Sequence, residues 1–348
     1  MIEEFGGGVG VRSWASILDE KTREQAEQTA LLPILTEPIA LMADAHLGYG
    51  ATIGSVIPTE SAVIPSAVGV DIGCGMAARK VDLARTRALE HAERWVRNCE
   101  ASIPAGMGKG RSGISAAARE WMAAHAPPGT LENPQRAEAQ LGSLGSGNHF
   151  IELAADQDDG TWILLHSGSR GPGNQLATLH TKVAMDLHER LGTALDDPEL
   201  SWLQSNTPEF DAYIHDLRWA QAFAMENRRL LLDAAHDQLI EASRESVRTL
   251  DEVNCHHNYT ELEEVAVGDE EGCDQGRGGG PGADPRRDGA EVVRRSGPRQ
   301  PTFVRIVFPR RRPGSVEDEG QEDAVRRGPR VADGGQVLAG LGRQVASG

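Results

Sequence analysis

Only four cysteines occur in 348 residues, too few and too scattered for a disulfide scaffold. Apolar runs are short, as in Ile163 to Leu165 of TWILLHSG, and none approaches the roughly 20 residues that a membrane-spanning helix needs. The opening MIEEFGGGVG carries two acids and no apolar core, so it does not read as a secretory signal. These absences predict a cytoplasmic, reducing setting with no membrane contact. A cysteine in a polar motif is then a candidate metal ligand or nucleophile. No GxxxxGK(S/T) occurs, and no GxGxxG follows a strand, which argues against a P-loop or Rossmann nucleotide site. The lack of a CxxC pair or an HExxH leaves zinc-finger and zincin readings without support. Positive charge is scarce as well: the net charge is −17. That counts against a nonspecific nucleic-acid binder, which needs a basic surface, but leaves room for a local basic cleft.

What is present is an ordinary globular composition, 39% hydrophobic and 25% charged. From about Ile2 to Val70, short apolar runs alternate with Gly and Pro, as in LLPIL and AVIPSAVGV, which predicts short strands and tight turns. Amphipathic spacing predicts helices over Leu83 to Glu100, Ser115 to Ala124 and Gln175 to Leu191, and a long helical region, broken once, over Pro208 to Leu250. Strands joined by Gly/Ser turns are expected from Gly142 to Gly173. The mixture indicates an α+β (mixed α/β) domain without a regular βαβ repeat. Composition changes near Gly268. Beyond it there is no Lys or His, and Phe303 and Phe308 are the only aromatics. The expected domain is residues 1–267, followed by an Arg/Gly/Pro-rich tail, 268–348, that lacks the apolar content to fold.

Four segments concentrate metal-ligand residue types: VGVDIGCGM with Asp71 and Cys74, LGSGNHFIE with Asn148, His149 and Glu152, LLHSGSRG with His166 and Arg170, and NCHHNY with Cys255, His256, His257 and Asn258. Each polar group follows an apolar, strand-like run and sits beside glycines or other small polar residues. Strand ends of this kind allow close approach of a ligand. Singly, each has a plainer reading: a turn-forming Asp or His, a small buried Cys, an anion-holding loop. Together, one Cys, one Asp and three His suit a borderline transition metal such as manganese, zinc or iron. The glycine-rich turns could also offer backbone N–H groups to phosphate, with Arg170 adding a forked donor. His91, His125, His180, His188, His215 and His236 read as ordinary helix residues.

MADAHLGYGATIGSVIP, AVGVDIGCGM, LGSLGSGNHFIEL, LHSGSRGPGN and EVNCHHNY, in this order, resemble the signatures of the RtcB family of RNA-splicing ligases, from the N-terminus to about Glu264. The resemblance implies an enzyme that joins an RNA 3′-phosphate or 2′,3′-cyclic phosphate to a 5′-hydroxyl in tRNA splicing and RNA repair, using GTP and two manganese ions. It implies that Asp71, Cys74 and His149 hold one metal, and that Cys74, His166 and His257 hold the other. Asn148, His149, Phe150, Ile151, Glu152, His257 and Asn258 would contact the guanine nucleotide. Asp44 and His46, in the D-x-H motif, become further active-site candidates. Two other readings use the same residues: a non-catalytic metal- or nucleotide-binding relic, and a metal-dependent phosphoesterase.

The pattern then breaks. The family's PGSMG-like loop, its HGAGR motif with the histidine that carries GMP, and a late lysine are all missing, and no His or Lys follows His257. Back-translated and read one base later, GDEEGCD can yield VTRKGA, and VRIVFPRRRPG can yield FESCSHGAGR. Successive family motifs recovered in one register imply a frameshift between about Glu264 and Gly268, so that the nucleophilic histidine is absent from the chain as written. A genuine Arg-rich RNA-binding tail is the plainer alternative.

Overall fold

A computed structural model describes residues 2–106, 110, 115–262 and 336–341. The first part of the chain forms β1 (Glu3–Phe5), β2 (Val11–Ser13), α1 (Glu20–Thr29), β3 (Ile39–His46), β4 (Ile53–Val56), β5 (Ala62–Val63) and the short α2 (Pro65–Val68). Next come β6 (Gly75–Val81), α3 (Arg85–Ser102), α4 (Ala116–Ala124), α5 (Pro134–Gln140), β7 (Phe150–Ala155) and β8 (Thr161–Ser167). The remainder is α6 (Arg170–Leu191), β9 (Leu203–Gln204), α7 (Pro208–Ser243), β10 (Thr249–His256) and β11 (Gln336–Leu341). The mixed α/β class expected from the sequence is what is observed.

The strands form a four-stranded sheet in the order β1-β2-β3-β4, a five-stranded sheet in the order β10-β6-β8-β7-β11, and the small pair β5-β9. Every pairing in the five-stranded sheet is antiparallel. In that geometry successive side chains alternate between faces. Ala77, Leu165 and Ile151 are paired neighbours across β6, β8 and β7. All three lie in the buried cluster that also holds Trp95 of α3 and Leu231, Leu232 and Leu239 of α7. Met76, His166 and Phe150 are the next set of partners and so occupy the opposite face. Trp95 is fully buried, and its indole N–H donates to the Ala235 carbonyl at 2.9 Å, locking α3 to α7. Truncating such a buried tryptophan to alanine costs on the order of 3–5 kcal/mol.

Two local expectations change. The 2–70 stretch holds a helix, α1, where strands and turns were expected. Asp19 caps it, accepting from Thr22 N at 3.0 Å, and its buried face is only Thr22, Ala26 and Thr29. So small and polar a face leaves little apolar periodicity to read. Pro208–Ser243 is one continuous helix, and Thr249 onwards is strand. His180 and His188, read as ordinary helix residues, are buried, with His180 Nε2 on α6 2.8 Å from Asp216 Oδ2 on α7.

Within 268–348, β11 pairs antiparallel with β7. The rest of that stretch, on which the expectation of an unfolded tail falls, lies outside the described residues, as does the inferred frameshift position. No helix among the described residues is long and apolar enough to cross a membrane.

Candidate metal centre

The four polar motifs converge at one end of the five-stranded sheet. Asp71 and Cys74 lie on the turn that enters β6, and the backbone N–H of Cys74 closes that turn on the Asp71 carbonyl at 3.0 Å. His149 immediately precedes β7, and His166 is the penultimate residue of β8. His257 directly follows β10, held there because its N–H and that of Asn258 both donate to the Cys74 carbonyl, at 2.8 and 3.1 Å.

The Cys74 sulfur lies 3.5 Å from His149 Nε2 and 3.2 Å from His166 Nε2. Asp71 Oδ2 is 3.0 Å from His149 Nε2, and His166 Nε2 is 3.3 Å from His257 Nε2. Two groups result, Asp71–Cys74–His149 and Cys74–His166–His257, each with its ligand atoms within 4.8 Å of one another. Cys74 belongs to both.

Hydrogen bonding at the far side of each ring decides what Nε2 can do. His149 Nδ1 faces the Leu144 carbonyl at 2.9 Å, and His166 Nδ1 faces the Asn148 carbonyl at 3.0 Å. A carbonyl can only accept, so each Nδ1 carries the hydrogen and each neutral ring presents a bare lone pair at Nε2. His149 Nε2 then faces a carboxylate oxygen, and His166 Nε2 faces another imidazole. The first is a pair of acceptors, which needs a cation or a proton between them; the second can be bridged by a cation or by a hydrogen on His257. Carbonyl-anchored imidazoles with Nε2 turned inward are the usual support of metal-ligating histidines, and the donor set fits a transition-metal ion.

Titration follows the same environment. Burial, then the neighbouring His257 and His149, push His166 down to about 4. Burial and the Arg228 charge do the same to His257, even though part of its surface is exposed. Burial and the Asp71 charge push the Cys74 thiol well above its ordinary value, so a metal would have to displace its proton. Burial would raise Asp71, but in the metal-free site a proton on His149 Nε2 supplies a hydrogen bond and a positive charge, and these, with the Cys74 hydrogen bond and the Arg170 charge, hold Asp71 below the usual range. Asp71 Oδ1 also accepts from the backbone N–H of Ser169 at 2.9 Å, at the start of α6, where a carboxylate is favoured. Gly168 makes this approach possible, since a Cβ there would lie 2.3 Å from the Asp71 carboxylate.

The other predicted residues are placed unequally. Phe150 is buried with its ring 5.8 Å from that of His166. Asn148 is exposed on the turn before His149. Ile151 is fully buried in the core, so its side chain points away from the site. Glu152 is buried, burial pushes its carboxyl up to about 7, and its Oε1 has no hydrogen-bond partner among the described residues. Asn258 donates its amide to the Asp71 carbonyl at 3.3 Å, which ties it to the ligand turn. Arg170 sits over the turn at Gly145, where φ is +101° and a Cβ would lie 2.1 Å from Nη1. Asp44 and His46 are on β3, in the separate four-stranded sheet.

Sequence reasoning missed two residues. Asn227 and Arg228, neighbours on α7, are both fully buried and hydrogen-bonded to the segments that bear the ligands. Their signal was available: they interrupt the apolar stripe Ala220, Phe223, Ala224, Leu231, Leu232 and Ala235, with helical spacing on either side.

Known proteins resemble the chain over the segments that bear these residues. The family described as tRNA-splicing ligase RtcB matches residues 25–126 and 117–277. The RNA-splicing ligase RtcB of Escherichia coli K12 is 36% identical over 271 residues, covering 71% of this chain and 65% of that protein. The tRNA-splicing ligase RtcB of Thermococcus kodakarensis is 26% identical over 298 residues, covering 71% of this chain and 62% of that protein. The RNA-splicing ligase RtcB of Mycobacterium tuberculosis is 28% identical, covering 69% and 66%. The chain thus spans about two thirds of the length of these relatives, slightly less for the first two.

Proposed function

The chain belongs to the RtcB family of tRNA-splicing ligases, and from that premise we propose that its Cys74-centred cluster is the two-metal site of an RNA-joining ligase of the cytoplasm. Its substrates would be RNA ends bearing a 3′-phosphate or 2′,3′-cyclic phosphate and a 5′-hydroxyl, and its cofactors Mn2+ and GTP. The observation that carries this reading is the pair of ligand groups sharing one sulfur. Asp71, Cys74 and His149 would hold one ion, and Cys74, His166 and His257 the other. Two divalent cations bound there would polarise phosphoryl oxygens and stabilise attacking and leaving oxygens.

The chain's own residues prepare that chemistry. The Leu144 and Asn148 carbonyls fix two imidazoles with Nε2 inward. Arg170, half-buried near Asp71, places a forked donor where a phosphate oxygen could be met. For the guanine nucleotide, exposed Asn148 and the face bearing Phe150 and Glu152 are the assigned contacts, together with His149, His257 and Asn258. Ile151 would take part only through its backbone. The Glu152 carboxyl, with a pKa of about 7, could either donate or accept a hydrogen bond near neutrality. Asp44 and His46 are assigned a lesser role at the same site.

No His or Lys follows His257 within this chain. We therefore assign 1–267 to the ligase domain and 268–348 to an out-of-frame tail, and propose that this chain binds metal without carrying GMP covalently. Incubating the 348-residue protein with labelled GTP and Mn2+ tests both parts. The expected result is saturation with two Mn2+ per chain and no base-stable, acid-labile GMP adduct. An adduct overturns the claim of inactivity, and failure to bind Mn2+ overturns the site.

A further inference from the structure

Arg228 is a fully buried guanidinium in the middle of α7. Among the described residues it forms no ion pair with a carboxylate; it donates to backbone oxygens and to the neutral side chains of Asn254 and Met225. Nη1 donates to the Gly73 carbonyl at 2.7 Å and to the Ser167 carbonyl at 3.0 Å. Nε donates to Asn254 Oδ1 at 2.7 Å and Nη2 reaches Met225 Sδ at 3.8 Å; His256 Nδ1, 3.1 Å from Nη2, gives its hydrogen to the Gly73 carbonyl at 2.8 Å. Apart from Met225 on the same helix, each residue it meets is next to a proposed ligand or on its strand. Gly73 precedes Cys74, Ser167 follows His166, and Asn254 and His256 lead into His257. One planar side chain therefore touches all three segments that supply the Cys74–His166–His257 group.

A buried cation without a carboxylate is costly to keep, and nothing in packing α7 on the sheet demands one. The adjacent Asn227 serves the neighbouring segments. Its amide donates to the Ser143 carbonyl, Ser167 Oγ and the Gly168 carbonyl at 3.1–3.2 Å, and its Oδ1 accepts from Gly142 N and Ser143 N.

We propose that Arg228 is a positioning residue for the metal site: its fork sets the separation of the Cys74, His166 and His257 segments, and it touches neither metal nor substrate. The inference rests on the two-metal reading above. Lysine keeps the charge but offers a compact ammonium in place of a rigid fork, so it cannot span the Gly73, Ser167 and Asn254 oxygens at once. Arg228→Lys tests geometry with charge retained.

The experiment titrates the full chain and its Arg228→Lys, Asn254→Ala and Arg229→Lys variants with Mn2+ and with Co2+. It reads stoichiometry, affinity and the thiolate-to-cobalt absorption on protein shown to be folded by circular dichroism. Arg228→Lys is expected to weaken one of the two ions about 10- to 100-fold, the usual effect of losing a support behind a ligand, and to shift the cobalt spectrum. Asn254→Ala removes a single partner and should weaken the same ion less. Arg229, which pairs with Glu226 and Asp233 on the surface, should tolerate lysine with no change in either readout. A merely structural Arg228 would lower the melting temperature and leave the spectrum of the folded protein unaltered, and that result overturns the proposal. If Arg228→Lys does not fold, Asn254→Ala decides: weakened binding supports the proposal and wild-type binding overturns it. Wild-type protein that binds neither ion overturns the two-metal reading and this inference together, whereas two bound ions unaffected by Arg228→Lys overturn only the inference.

Discussion

His166 Nε2 and His257 Nε2 face each other across 3.3 Å, although their residues are 91 positions apart in the chain. The Asn148 carbonyl takes the hydrogen of the His166 Nδ1, so no ring hydrogen from that side fills the gap. The same arrangement recurs between His149 Nε2 and Asp71 Oδ2 at 3.0 Å, and Cys74 stands between the two.

Because Cys74 belongs to both groups, its loss should be felt twice. Cys74→Ala is expected to abolish tight binding of both Mn2+ ions, whereas His257→Ala should leave one. Mn2+ should also raise the melting temperature of the wild type, since an ion that binds only the folded state stabilises it by mass action. Electron paramagnetic resonance of free Mn2+ during titration counts the sites. Two ions with unchanged affinity in Cys74→Ala would rule out a shared sulfur.

The histidine pair makes metal-free stability depend on pH in a definite direction. Both rings are pushed from an ordinary 6.5 to about 4, so the unfolded chain binds more protons between those values. Stability is therefore full above 6.5 and is lost as pH falls toward 4. For buried His166 the effect is on the order of 3 kcal/mol. The exposed position of His257 makes its share smaller, because solvent screens it. Urea midpoints of the metal-free protein, measured from pH 7 to 4.5 in a Glu152→Gln background, should fall steadily. A flat profile would contradict the burial assigned to these rings.

Glu152 acts in the opposite sense. Its carboxyl is raised from 4.5 to about 7 by burial, so the folded state holds the proton longer than the unfolded one. The stabilising contribution of the neutral form is full below 4.5 and is lost as pH rises through about 7. Glu152→Gln should thus stabilise the metal-free protein at pH 8 by on the order of 2 kcal/mol and make little difference at pH 4.5. Equal denaturation midpoints for variant and wild type at pH 8 would show that Glu152 is solvated or paired.

Much of the site was legible in the order of residues. Asp71, Cys74, His149, His166 and His257 stood out because metal-ligand types clustered beside small residues at strand ends, and a turn such as Asp71 to Cys74 is written locally. The long helices were readable where apolar spacing was strong, as in α3 and α7. Helix α1 was not, since Thr22, Ala26 and Thr29 make too polar a buried face. Asn227 and Arg228 broke an otherwise apolar stripe, yet a break in a stripe does not name its partner.

By itself the sequence determined the chemistry on offer: which donors exist, on which turns, and that no His or Lys follows His257. Only the tertiary structure decided that His149 and His166, 75 and 92 residues beyond Cys74 in the chain, meet at its sulfur, and that Ile151 turns into the core while Phe150 faces the site. It also decided that Arg228 lies behind the ligands. The reason is physical: hydrophobic periodicity tells which face of an element is buried, whereas the antiparallel register of β6, β8 and β10 decides what that face meets.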